Sequence, residues 1–160
     1  DNSIKKEVML QKGYDAVCYC DILGHAQQKR NTFWHKVYKH LQGILLNRPT
    51  HVYDYSKHYK ELIGEIDKDE NVIPQIVPQW DHSPRGGRKT NIYINSTPEY
   101  FAKHVRMAME AIKGKKEEHQ ILMLKSWNEW AEGNYMEPDL THGRGYINAL
   151  RQVVDEYREK

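Results

Sequence analysis

A chain of 160 residues, 39% apolar and 29% charged, fits one globular domain with its own core and excludes a disordered or membrane-embedded chain. No apolar run approaches the ~20 residues a helix needs to cross a bilayer. A net charge of +2 does not call for nucleic acid as a partner.

Residues Ser3 to Lys12 carry a helical pattern, with Ser3 as expected N-cap and Gly13 as stop. The aromatic and β-branched run "YDAVCYC" (Tyr14 to Cys20) predicts a buried strand. It holds both cysteines, Cys18 and Cys20, on one face and without a disulfide framework, which points to a reducing compartment; a cytoplasmic location is expected only from the absence of targeting signals. No basic segment followed by an apolar one opens the chain, so no secretory signal is expected, and the start at Asp1 reads as a piece of a longer protein. "NTFWHKVYKHLQGI" has partial helical periodicity and no clean stop before Gly43. After Pro49, "HVYDYSKHYKELIGEI" reads as a connector and then a helix ending near Ile66. "NVIPQIVPQW" (Asn71 to Trp80) is a second strand candidate whose prolines belong at its start, at a bulge or at its end.

The third unit is the clearest. Thr97 as N-cap, Pro98 in the first turn and Gly114 beyond the end bound a helix with Phe101, Val105, Ala108 and Ile112 along one stripe. A continuous apolar run, "HQILMLKSW", predicts the third strand. A last helix carries Tyr146, Leu150, Val153 and Tyr157 on one face. Strand–helix alternation of this kind predicts an α/β domain over residues 1–160, with about three βα units on a parallel sheet. In such folds ligands bind at the carboxyl ends of the strands. Two strands end in unusual chemistry, "QWDHSPRGGR" and "SWNEWAEGNYMEPD", so both loops are expected to open on one face.

Glu129 and Glu132 are three residues apart, which on a helical turn brings Cβ atoms to ~5–6 Å. Carboxyls ~5–5.5 Å apart suit a retaining glycosidase and wider pairs an inverting one. Proximity also separates their affinities for a proton, so one can serve as acid while the other is ionised. A generic E-x-x-E is a pair of solvated charges far more often than a site. Here Trp127 and Trp130 bracket Asn128 and Glu129, and Tyr135 follows. Indole faces suit the C–H face of a sugar ring, and the Asn128 amide offers a donor and an acceptor to hydroxyls. Packing of a tryptophan as core is the competing use. In the other loop, Trp80 and Asp81 are candidates for a sugar, and Arg85 for a carboxylate or phosphate. The nine histidines and two cysteines show no metal spacing, and no phosphate loop or nucleophile elbow is present, so neither metal nor cofactor is expected.

The string "WNEWAEGNYMEPD", with "PQWDHSPR" and "GYDAV" before it in the same order, resembles the WbsX family, described as glycosyltransferases of polysaccharide biosynthesis. That family is similar to glycoside hydrolase family 99, the endo-α-mannosidase type. The resemblance spans Gly13 to the terminus. It implies the C-terminal portion of a (β/α)8 TIM-type barrel acting on bacterial polysaccharide of the lipopolysaccharide or O-antigen type, by glycosyl transfer or glycosidic cleavage. By correspondence with the hydrolase relatives, Glu129 assists attack by the sugar's own 2-hydroxyl and Glu132 is general acid and base. Asn128, Trp130, Tyr135 and Glu137 then line the sugar subsite, with Trp80 and Asp81 beside them. Those hydrolases carry a histidine between the two glutamates, where this chain has Ala131. Three strands cannot close an eight-stranded barrel. The chain is therefore expected to pair with the missing barrel half or a second copy, or to settle into a smaller open domain. The alternative function is a non-catalytic glycan-binding domain or a structural fragment.

Overall fold

The computed structural model describes residues 2–19, 37–38, 41, 45, 51–87 and 90–158. Cys20 and nearly all of "NTFWHKVYKHLQGI" lie outside them. Helix α1 (Asn2–Gln11) opens the chain, so Ser3 lies inside the first turn and is not its cap. Of the strand expected over Tyr14 to Cys20, Val17 forms a parallel bridge with Val72, through hydrogen bonds from Val17 N to Asn71 O (2.9 Å) and from Ile73 N to Val17 O (2.8 Å).

The stretch read as a connector and helix after Pro49 folds differently. Strand β1 (His51–Asp54) comes first, then a single helical turn α2 (Tyr55–His58), then two 3-10 turns, Tyr59–Glu61 and Glu65–Lys68. Asp54 caps α2, its carboxylate accepting from the Ser56 hydroxyl and amide. Those bonds hold the Asp54 carboxyl at about 2, the Ser56 contact contributing most. Gly64, in extended conformation, breaks what would have been a continuous helix.

Strand β2 (Gln75–Ile76) is short and lies between two buried prolines, Pro74 and Pro78. The turn α3 (Ser83–Gly86) follows, then β3 (Asn91–Ile94), a strand absent from the sequence reading. Helix α4 (Pro98–Ile112) has Thr97 before it, as expected, and buries Phe101, Val105, Ala108 and Ile112. Strand β4 (Met123–Leu124), the hairpin β5 (Asn128–Glu129) and β6 (Asn134–Tyr135), and helix α5 (Gly145–Arg158) complete the chain.

The sheet pairings between separated segments are parallel: β1 with β3 (Tyr53 beside Tyr93) and β2 with β4 (Gln75 beside Met123). The domain is thus α/β with short parallel pairs. Two cores hold it. Helices α4 and α5 pack against β2 through Ile76, Phe101, Val105, Met136, Tyr146 and Val153. A tyrosine cluster, Tyr53, Tyr55, Tyr59 and Tyr93 around Val77, forms the second core. Burying large aromatics dominates such a core, and their edge-to-face contacts add ~0.5–1.5 kcal/mol per pair; Tyr55 meets Tyr93 at 5.5 Å and 73°. His104, fully buried on α4, joins the two cores, its Nδ1 lying 2.9 Å from the Tyr55 oxygen. The Tyr55 hydroxyl donates to Val77 O at 2.7 Å, so the imidazole must be the donor in its contact with the phenol.

Candidate functional site

Because β2 and β4 are parallel neighbours, the chain leaves both at the same end. The loop after β2 carries Trp80, Asp81, His82 and Arg85, and that after β4 carries Trp127 through Glu137. They are fastened together by backbone as well as side chains. Asp81 N donates to Glu132 O at 2.9 Å, Gln79 Nε2 to Tyr135 O at 3.4 Å, and Asn134 Nδ2 to Gln79 O. Gly133 is left-handed (φ 51°) and packs on Asp81; a Cβ there would come within 3.1 Å of the Asp81 Cβ. Only glycine accepts both the backbone and the space without cost.

The two glutamates stand in unlike surroundings. The Glu132 side chain is 14% exposed, and its Oε1 accepts from Arg85 Nη1 at 2.8 Å and lies 3.3 Å from His82 Nε2. The carboxyl of Glu129, half-buried, has no partner among the described residues, while its N–H donates to Ser126 Oγ at 3.2 Å. Ser126 in turn donates to Asn134 O at 2.7 Å, which ties the base of the β5–β6 hairpin. The hairpin puts Asn128 opposite Tyr135.

Trp130 lies flat on Tyr135, with ring centroids 3.7 Å apart and 14° between planes. Its indole N–H donates to Glu137 Oε2 at 2.6 Å. One indole face is therefore covered by Tyr135, and Trp130 is still 49% exposed. Burial pushes the Tyr135 phenol up. Trp127 is half-exposed, and its carbonyl accepts from Met136 N at 2.8 Å. Trp80 is built in more firmly. Its ring packs edge-on against Tyr93, the Lys125 ammonium sits 4.3 Å above it, and its N–H is buried without a partner among the described residues. Asp81 Oδ1 accepts from Ser83 N at 2.9 Å, closing the turn that carries Arg85.

These contacts bring Asp81, Arg85 and Glu132 together, and Trp130, Tyr135 and Glu137 together. Sequence reasoning passed over His82, Ser126, Asn134 and Lys125. His82 lies within the quoted "QWDHSPR", yet histidines were weighed only as metal ligands. Among the described residues no group of three or more His, Cys, Asp or Glu could hold a metal ion.

The family described as Glycosyltransferase WbsX matches residues 2–150. The chain belongs to the WbsX glycosyltransferase family. Two curated relatives, both named "Uncharacterized protein WxcX", come from Xanthomonas campestris pv. campestris. That of strain B100 is 28% identical over 104 residues, 64% of this chain and 15% of the relative. That of strain ATCC 33913 is 31% identical over 101 residues, 60% of this chain and 14% of the relative. The matched stretch is thus a small part of either relative. No solved structure matches. Both loops of the candidate site fall inside the WbsX match, and no described helix is long and apolar enough to cross a membrane.

Proposed function

We propose that this WbsX-family chain is part of a carbohydrate-active enzyme that builds or processes bacterial surface polysaccharide of the lipopolysaccharide or O-antigen type, and that its short parallel strands belong to a (β/α)8 barrel. The observation that carries the reading is the meeting of two strand-end loops, one bearing Arg85 and the other the paired glutamates and Trp130, in a chain of a glycosyltransferase family. A sugar ring lies on the open face of Trp130, and Asn128 and Glu137 offer polar groups to its hydroxyls. Glu129, with no partner among the described residues, exchanges a proton with the reacting hydroxyl or the leaving oxygen. That chemistry serves transfer to a second sugar as well as cleavage by water, in keeping with the family name and with the glycoside hydrolase family 99 pattern respectively.

The exposed Trp130–Tyr135 stack also favours a second reading, a glycan-binding module in which the glutamates accept hydrogen bonds from hydroxyls. The replacement Glu129→Gln in the full-length parent protein separates the two. An enzyme loses turnover and keeps glycan binding. A binding module has no turnover to lose.

A further inference from the structure

The resemblance gives both Glu129 and Glu132 acid–base roles, and the structure sets them in different surroundings. Glu132 touches the opposite loop three times: its carbonyl accepts from Asp81 N, its Oε1 accepts from Arg85 Nη1, and the same oxygen lies against His82 Nε2. Arg85 sits on α3, whose first turn is held by Asp81 Oδ1 on Ser83 N, and α3 packs on the Trp130–Glu132 turn. An acid must present its proton to the substrate oxygen. The Glu132 oxygen instead accepts from a guanidinium, so proton donation would first require that ion pair to open. Glu129 carries no such partner among the described residues.

We propose that Glu132 is a latch that fixes the loop after β2 to the loop after β4, with Arg85 as its counterpart. The assignment of chemistry to Glu129 rests on the glycan-enzyme reading; the latch does not. Opening it separates Arg85 from the aromatic platform formed by Trp130 and Tyr135, and so alters the spacing of the two halves of the site.

The latch is tested without substrate, by amide hydrogen exchange at Asp81 and by the indole N–H signals of Trp80 and Trp130 in the present chain. Glu132→Gln and Arg85→Met each speed Asp81 exchange by about fivefold, a modest factor because the Arg85 end of the pair is exposed. The double variant is no faster than Glu132→Gln, since Arg85→Met then removes a partner whose interaction is already lost. Arg85→Lys, which keeps the charge, retains part of the protection, and Glu129→Gln leaves the exchange and both indole signals unchanged. Circular dichroism on Arg85→Met, whose side chain is mostly exposed, controls for unfolding. Wild-type exchange in Glu132→Gln, or additive effects in the double variant, overturns the latch. If the latch holds but Glu129→Gln leaves turnover of the parent protein intact, the role given to Glu129 fails and the latch stands.

Discussion

At the scale of single residues, an aromatic platform and an acid with no partner among the described residues sit close together on one loop. Trp130 presents an indole already stacked on Tyr135 and tied to Glu137, so little side-chain freedom remains to be lost when a ring binds it. Trp130→Ala is expected to weaken glycan binding by about tenfold, a magnitude typical of one aromatic contact, as read by calorimetric titration with the polysaccharide repeat. Glu129→Gln is expected to lower turnover of the parent protein by ~10²–10⁴, the usual contribution of a positioned acid or base, with the dissociation constant for the same glycan changed far less.

At the scale of elements, the site depends on α4 and α5 holding β2 and β4 in register. Phe101 is wholly buried and meets Tyr146 edge to face at 5.7 Å. Phe101→Ala should cost about 3–5 kcal/mol in urea unfolding, the range for a buried aromatic whose cavity only partly collapses. Arg106→Met removes a double hydrogen bond to Glu156, but both side chains are about a third exposed, so a loss of ~1 kcal/mol or less is expected from the same experiment. Both helices were legible in the sequence, because Phe101, Val105, Ala108 and Ile112 repeat at the helical period and Pro98 marks the start. The strands were not. "HVYD" and "NIYI" are four residues each, too short for alternation to register, and β2 and β4 are two residues each. The helix expected up to Ile66 is interrupted because Gly64 takes an extended conformation and restarts the chain as a separate 3-10 turn. Of the candidate site, the aromatic and carboxylate string was legible as composition. The unequal use of its two glutamates was not, because that depends on Arg85 and His82, which lie 47 and 50 residues earlier.

At the scale of the whole molecule, folding buries one imidazole in a site that disfavours its charge. Burial holds His104 at about 4, below its ordinary value of 6.5. The unfolded chain therefore binds this proton more readily than the folded one. Stability from His104 is fully present above pH 6.5 and is lost as the pH falls toward 4, by about 3 kcal/mol in all. Asp54, held at about 2, adds a second loss below pH 3.8. Urea unfolding at pH 7 and pH 5 should show the first decline, and His104→Gln should flatten it.

The central claim is that the two strand-end loops form one glycan site. The most direct measurement is an NMR titration of the tryptophan indole N–H signals with the surface polysaccharide repeat of the producing cell. Trp130 and Trp127, on the loop after β4, and Trp80, on the loop after β2, are expected to shift together with one dissociation constant. Movement of Trp127 and Trp130 alone, with Trp80 and the Arg85 side-chain signals unmoved at saturation, would contradict a shared site.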